Sequence, residues 1–403
     1  MTTAPVLIAG GGPVGIITAL ALAQQGIPVR VFEAAEAVND APRASTLHPA
    51  TLEMLAHVGL LDEIIVRGLV ARTFQFWDRP TRSIVAEFDH AILQDDTPFP
   101  FVVQCEQHKI ANIGIARLKE FKHAAIDFSA RVTAVAAQDN RVDITVENSG
   151  RTQVVSGSYL IGADGGRSLV RKSLDIVFDG YTFPERFLVL TTLFDFAAEY
   201  GVAYRAYFSD PNEWTNLFKV AGDDGKGRWR VVFPTVPGQT DDEVLNAAAT
   251  EARMQKFFPK AGRYEIVHRN IYSVHQRVAA SFSRGRVFLA GDAAHVNNPI
   301  GGLGLNCGIH DAMHLARLLS AVLQEKRPYR ELESYDAIRR PMNIEYVQQQ
   351  TIANKKRLEE KEPAMRQANF DNLRRTAADP AAHRAFLMRT SLLESVRKQK
   401  AAA

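Results

Sequence analysis

Residues Val6 to Glu33 read VLIAGGGPVGIITALALAQQGIPVRVFE, and the fold follows from that stretch. A short apolar run, Val6 to Gly10, suits a buried strand. The turn Gly10-Gly11-Gly12-Pro13-Val14-Gly15 follows, then a helix pattern to about Gly26 and a second strand, Val29 to Phe32, ending at Glu33. A GxGxxG alone is a weak signal. Inside a strand-helix-strand unit, with an acid close to the expected offset of about twenty residues, it is a strong one. Glycine lets backbone approach a ligand closely, and the first amides of a helix have no internal partner. A pyrophosphate is therefore predicted on Gly10, Gly12, Pro13, Val14 and Gly15, with Glu33 accepting hydrogen bonds from an adenosine ribose.

A second strand-to-helix turn lies late in the chain, from Arg286 to Gly308, RVFLAGDAAHVNNPIGGLGLNCG. Val287 to Ala290 reads as a buried strand that stops at Gly291-Asp292; Pro299 marks a turn, and Gly301, Gly302 and Gly304 precede a helix pattern starting near Leu305. The Asp292 carboxylate suits a sugar hydroxyl. Free amides at Leu305 and Asn306 would stabilise negative charge by roughly 0.3–1 kcal/mol. Between these two turns, Tyr159 to Ser168, YLIGADGGRS, is a third strand ending in Gly and Asp, again with a helix beginning just after.

The other segments read differently. Ala41 to Pro49 is a polar link, with Arg43 able to pair with a phosphate, into an amphipathic helix near Thr51 to Val58. From Ala71 to about His90 the residues alternate around Asp78-Arg79-Pro80, as in an antiparallel hairpin. Gln104 to Leu118 looks helical, and Ala130 to Ala136 and Val142 to Val146 are strands. Arg186 to Val236 is strand-rich and aromatic, with a turn at Asp223-Asp224-Gly225. Thr240 to Phe258 is a helix with acids at its start, and a strand, Tyr264 to Ile271, follows. The chain beyond His310 is helical, interrupted near Pro328 and Pro341. Excursions out of the first sheet make the first domain discontinuous, and ligands favour such junctions.

Composition narrows the class. The 403 residues suffice for two or three cores, and a formal charge of +3 gives no argument for nucleic acid. Two cysteines, Cys105 and Cys307, make neither a disulfide framework nor a four-cysteine zinc site, so a reducing, cytoplasmic setting is expected. The apolar run Ile16 to Ala23 lacks the basic flank of a signal peptide, and no run reaches the roughly 18 apolar residues of a membrane span. His310 and His314 stand at a zinc spacing, but the glutamate of HExxH is missing and no third ligand is apparent. No metal is expected. GxSxG is absent, so there is no nucleophile elbow.

Three motifs in order, GGGPVG with Glu33, GADGGRS at 162–168 and GDAAHVNNPIGGLGLN at 291–306, resemble the FAD-dependent aromatic hydroxylases of the p-hydroxybenzoate hydroxylase type, the single-component flavoprotein monooxygenases. The resemblance implies an α/β protein with a Rossmann-like FAD-binding domain, an inserted antiparallel-sheet substrate domain and a helical C-terminal tail. Residues 1–70, 101–178 and 276–340 would form the first, 71–100 and 179–275 the second, and 341–403 the third. It implies that Asp292 hydrogen-bonds the FAD ribitol, that Asp164 with Gly165 serves both FAD and NAD(P)H, and that Arg43 lies near the pyrophosphate. Gln107 would contact the flavin, the Leu305 and Asn306 amides would face flavin N1 and O2, and Pro299 would stand beside the reacting ring. The chain carries Gly302-Leu303-Gly304 where GQG is common, which alters only a side chain.

The mechanism implied is hydride transfer from NADH or NADPH to the flavin, addition of dioxygen at the flavin C4a carbon, and transfer of the distal oxygen to an electron-rich ring. A phenolic or hydroxypyridine-type substrate then needs a hydrogen-bonding group that favours loss of its proton. His48, Tyr204 and Tyr207 are candidates by position, with core packing as the default for each. Arg205, Arg228 and Arg230 could pair with a substrate carboxylate, although strand arginines usually face solvent. Two other readings share the FAD scaffold: another FAD oxidoreductase, such as a halogenase, whose WxWxIP signature is absent, and a non-catalytic flavin-binding regulator. The tail would cap the active site or form a homodimer interface. Neither the nicotinamide preference nor the particular aromatic can be read from the sequence.

Overall fold

A computed structural model describes residues 4–41 and 43–402. Its first sheet has six strands in the order Ser283–Arg284, Val287–Leu289, Tyr159–Gly162, Val6–Ala9, Val29–Phe32, Ala124–Asp127. All neighbours are parallel except the Ser283–Arg284 edge. Strands covered on both faces carry continuous apolar runs, as Val6, Leu7 and Ile8 do. Helix Pro13–Gln24 packs against Gln107–Leu118 and Gly304–Leu323 as well as the sheet side. Every residue from Gly15 to Ala23 is buried, so the helix is apolar all round. An antiparallel three-stranded sheet, Ala130–Ala137, Val142–Asn148 and Arg151–Gly157, lies between Ala124–Asp127 and Tyr159–Gly162; its last strand escaped the sequence reading.

The second unit is an eight-stranded sheet in the order His295–Val296, Ile266–Ala279, Phe178–Thr192, Arg228–Pro234, Thr215–Val220, Arg205–Ser209, Thr73–Asp78, Ser83–Asp89. It is antiparallel except where Arg205–Ser209 meets Thr73–Asp78, a parallel pair made because these two segments enter the sheet from distant parts of the chain. Strand alternation sorts its side chains. The register Phe76↔Tyr207↔Asn216↔Val232↔Val189 defines one face, and Trp77↔Phe208 with Leu217↔Val231↔Leu190 defines the other. The second face is closed by Met254 and Phe257 of helix Ala247–Phe257. The first is closed by Tyr346, Leu358, Phe370 and Leu387 of the C-terminal helices, together with Ile300 and Leu303 of the glycine turn.

Three expectations need correction. Thr240 to Phe258 is two helices, Asp241–Leu245 and Ala247–Phe257, because the Asn246 side chain caps the second by accepting from Ala248 and Ala249 amides. Pro341 does not interrupt its helix: Ser334–Asn343 continues into a wider π turn, Ile344–Gln348. The bond lost at proline is offset by the burial of Tyr335, Arg339 and Asn343 on one face. The strand expected at Tyr264 to Ile271 runs Ile266–Ala279. No helix among the described residues is long and apolar enough to cross a membrane.

Asp311 joins the units. Its buried carboxylate accepts from the Gly291 amide at 3.1 Å, His295 Nε2 at 2.7 Å and Arg339 Nε at 2.8 Å, while Arg339 also donates to the Cys307 carbonyl at 3.2 Å. Burial pushes the Asp311 carboxyl up, but Arg339 and His295 outweigh it and hold the group below its ordinary range. Burial lowers the His295 pKa, but Cys307 and Asp311 overcome that and raise it to about 10.

Arg339→Met leaves the buried carboxylate without its strongest partner and should cost roughly 3–5 kcal/mol in urea unfolding of the FAD-saturated protein. The folded pKa of His295 is raised, so its contribution is full below the ordinary histidine value and is lost as pH rises through about 10. Tm should fall between pH 7 and 10, and the slope should flatten in His295→Gln.

Candidate active site at the junction of the two sheets

The first glycine turn meets the Ala163-Asp164 segment so closely that a side chain on Gly10, at φ +106°, would stand 2.3 Å from the Ala163 carbonyl oxygen. Two motifs 150 residues apart in sequence thus share one wall. Helix Pro13–Gln24 has Gly12 at its N-cap, no side-chain cap and no acid in its first turn, so its leading amides remain available. A Cβ on Gly12 would meet nothing within 4 Å. Glu33 accepts from the Gly11 amide at 2.6 Å and the Ala35 amide at 2.9 Å, one on each oxygen. Lone pairs remain on both for a hydroxyl donor. Asp164 Oδ2 caps the helix that follows by accepting from Leu169 and Val170 amides at 2.7 and 3.1 Å, whereas Oδ1 is enclosed with no partner among the described residues. Burial raises the Asp164 pKa against the Ser168 and amide hydrogen bonds that lower it. Arg171 donates to the Ala293 carbonyl at 2.8 Å and the Gly166 carbonyl at 2.9 Å, which fixes this motif to the next.

Asp292 is exposed by contact with solvent although protein surrounds it at longer range. This describes the floor of a cleft. Enclosure pushes its carboxyl above the ordinary value, while His295 and Arg43 pull it down. Arg43 is itself exposed, and its backbone oxygen accepts from Arg230 Nη1 at 2.6 Å. Gln107 opens helix Gln107–Leu118, is half-buried, and donates its amide to the Ala44 carbonyl at 3.1 Å. Pro299 is exposed beside buried Ile300. Gly302, at φ +66°, lies where a Cβ would come within 2.7 Å of Thr46 Cβ. Helix Gly304–Leu323 has Leu303 at its N-cap and no side-chain cap, which leaves the Leu305 and Asn306 amides facing outward from its first turn. The Leu303 side chain, which stands where glutamine is common, is fully buried on the substrate-sheet side.

The Asn306 side chain has a task its backbone role did not suggest. Its Oδ1 accepts from the His48 amide at 2.8 Å, and its Nδ2 donates to the Thr46 carbonyl at 2.8 Å and the Gly302 carbonyl at 2.6 Å. His48 Nε2 in turn donates to the Gly301 carbonyl at 2.9 Å, leaving Nδ1 a buried acceptor without a partner. Burial, then Arg205, lower the His48 pKa well below its ordinary value, so the imidazole is neutral.

Beyond Gly301 a cavity is walled by Phe74, Phe76, Arg205 and Tyr207 of the sheet and by Gln350 and Asn354 of helix Gln349–Leu358. Tyr207 lines this cavity, and His48 meets it through the Gly301 carbonyl. Tyr204 does not join them: it sits edge-on to Trp229 under Lys219, toward the other face of the sheet. Arg205 and Arg230 are buried, contrary to the default for strand arginines, whereas Arg228 pairs with Asp224 at 2.9 Å. Alternation with Tyr207 signals the inward direction of Arg205; Gln350 and Asn354 carry no comparable sequence signal. His310 and His314 have other partners, Thr51 Oγ1 at 3.1 Å and Gln399 Nε2 at 2.7 Å.

These donors and acceptors fit FAD: uncapped amides at two helix starts, an unpartnered Asp164 oxygen, and an Asp292 carboxylate open to a cleft. A family model described as an FAD binding domain matches residues 3–350. The chain belongs to that family. It is 34% identical over 384 residues to para-nitrophenol 4-monooxygenase of Pseudomonas sp. strain WBC-3, covering 95% of this chain and 94% of that one. It is 33% identical to 6-hydroxy-3-succinoylpyridine 3-monooxygenase HspB of Pseudomonas putida, covering 89% and 90%. The crystal structure of p-nitrophenol 4-monooxygenase PnpA from Pseudomonas putida DLL-E4 superposes with a TM-score of 0.90 at 32% identity over 96% of this chain and 98% of that one. The chain is an FAD-dependent aromatic monooxygenase that uses NAD(P)H and dioxygen.

Asp292→Ala removes a charged hydrogen-bond acceptor, an interaction of about 1.5–3 kcal/mol. FAD affinity measured by fluorescence on titration into apoprotein should fall roughly ten- to hundredfold, and an unchanged Kd would remove the ribitol assignment.

Proposed function

We propose that this monooxygenase hydroxylates a small phenolic or hydroxypyridine-type aromatic held between the Ile300-Gly301 segment and the sheet face bearing Phe74, Phe76 and Tyr207. The observation that carries the reading is the cavity itself, aromatic on one wall and lined by the glycine turn on the other. The relatives named for para-nitrophenol and 6-hydroxy-3-succinoylpyridine support a ring that bears an ionisable hydroxyl. In this reading residues 1–70, 101–178 and 276–340 hold the cofactor, 71–100 and 179–275 form the substrate wall, and helices within 341–403 cap the cavity.

Gly10, Gly12, Pro13, Val14 and Gly15 seat the pyrophosphate with Arg43, and Glu33 accepts from the adenosine ribose. Asp292 binds the ribitol, Gln107 contacts the flavin edge, and Asp164 serves the cofactor and the nicotinamide. Gly302 and Gly304 allow close approach, and the Leu305 and Asn306 amides hold negative charge at the flavin end. Bound FAD supplies acceptance of hydride from NAD(P)H and delivery of one oxygen atom from dioxygen to the ring. Pro299 borders the reacting ring. His48 keeps the Gly301 carbonyl in place as a neutral donor, and Tyr207 offers its hydroxyl proton to the substrate oxygen. The C-terminal helices exclude water.

Purified protein with FAD bound should oxidise NADH or NADPH faster when a phenol or hydroxypyridine is added, and mass spectrometry should find one added oxygen. If no ring in such a screen yields a hydroxylated product, the reading fails. Tyr207→Phe should lower kcat/KM by roughly ten- to hundredfold, as for loss of a hydrogen bond to a charged group, with FAD binding unchanged.

A further inference from the structure

Arg205 has no counter-charge among the described residues. The residue is 4% exposed, its Nε donates to the Tyr207 hydroxyl at 2.9 Å, and its guanidinium lies 4.3 Å from the centre of the Phe74 ring. Nη1 is fully enclosed without a hydrogen-bond partner, and among the described residues Arg205 forms no ion pair. Buried Arg339 and Arg79 have carboxylate partners, Asp311 and, at 2.7 Å, Glu213. Arg171 and Arg230, which also lack ion pairs among the described residues, donate instead to backbone carbonyls, Arg230 to that of Arg43, whereas Arg205 has neither and faces the cavity. An unpaired buried cation costs several kcal/mol, so its retention facing a cavity points to a ligand that completes it. The cavity has no carboxylate in its lining, and the Tyr207 hydroxyl, having accepted from Arg205, still has its own proton to donate.

We propose that Arg205 is the anion seat of the substrate cavity: it takes the aromatic as the ionised phenol, its Nη2, the nitrogen of the fork that is not enclosed, and the Tyr207 hydroxyl donating to the phenolate oxygen, and so selects rings that ionise near neutral pH over neutral ones. The inference rests on the hydroxylase reading above and makes it more specific. No proton transfer within the protein is needed, because the substrate enters already ionised. An electron-rich phenolate is also the form that accepts electrophilic oxygen, so one contact serves selection and activation.

The groups facing Arg205 are His48 from the segment before helix Pro49–His57, His90 after strand Ser83–Asp89, Tyr207 on its own strand, and Arg357 across the cavity near Phe76. Burial, then Arg205, lower His90 to about 4, and His48 is lowered likewise. Above the ordinary histidine value both are neutral, so a pH dependence of binding between pH 7 and 9 reports the ligand.

The test is equilibrium binding to the oxidised, FAD-loaded protein without NAD(P)H, read from the flavin difference spectrum, with 4-nitrophenol and its neutral methyl ether 4-nitroanisole. For the natural protein, affinity for 4-nitrophenol should rise with the ionised fraction, and the phenolate should bind at least tenfold more tightly than the ether. Arg205→Gln should lose tenfold or more for the phenolate and little for the ether, with Arg205→Lys in between. Arg205→Met should be as stable as the natural protein or more so, because it removes an unpaired buried charge. Equal binding of phenolate and ether by the natural protein would overturn the proposal, as would an unchanged phenolate Kd in Arg205→Gln. If Arg205→Gln fails to retain FAD, the natural protein's pH series and its phenolate-to-ether ratio decide. Absence of hydroxylated product alongside selective phenolate binding would sink the hydroxylase reading alone.

Discussion

The Asp311 carboxylate is the constraint on which the rest of the architecture depends. It binds the Gly291 amide at the end of a parallel strand, His295 at the edge of the eight-stranded sheet, and Arg339 in helix Ser334–Asn343, whose Tyr335 packs into the core of the first sheet. Removing one partner would leave charge buried, and removing all would free three elements at once. Asp292 stands next to the amide that is held, and the glycine turn begins a few residues beyond. Asp292 and the glycine turn that borders the cavity are thus positioned from the same buried anion.

A second constraint divides the large sheet. Period-two alternation sends Trp77, Phe208, Leu217 and Val231 to one side, where helix Ala247–Phe257 seals an apolar layer. It sends Tyr207, Arg205, Asn216 and Arg230 to the other, where polar groups are enclosed against the glycine turn. Aromatic residues are abundant on both sides, so composition alone could not say which wall meets substrate. The pairing of buried charge distinguishes them: on the structural face Arg79 is paired with Glu213 and Lys219 with Asp195, whereas Arg205 and Arg230 on the other face have no ion pair among the described residues.

The cofactor half was legible in sequence because its determinants are local. Gly10 to Glu33 closes within one strand-helix-strand unit, and Asp292 and Gly304 lie in one turn, so the spacing encodes the geometry. The substrate half was not, because its contacts are long-range. His48 meets Gly301 across about 250 residues, and Gln350 and Asn354 reach the cavity from helices whose sequence reads as ordinary amphipathic surface. Tyr204 and Tyr207 looked equivalent as candidates, yet Tyr204 lies in the bend before strand Arg205–Ser209 and packs with Trp229 on the opposite face. Asn306 was read for its amide, and its side chain proved to be the lock between the Thr46-His48 segment and Gly302.

The donors on the two sides of the glycine turn have a common logic. On one side, helix Gly304–Leu323 begins with uncapped amides that suit a negatively charged end of a cofactor; on the other, Arg205 and Tyr207 present donors with no ion-pair partner among the described residues. Two anions brought face to face would repel, and a carboxylate between them would worsen it. The turn separating them is instead built from Pro299, Ile300 and glycines, with a neutral His48 held against it. Keeping His48 neutral has a consequence: a cation there would compete with Arg205 for the same ligand charge and loosen the choice between ionised and neutral rings. Burial of the imidazole and the nearby guanidinium together prevent that, so the residue that orients the turn leaves the substrate's charge to Arg205.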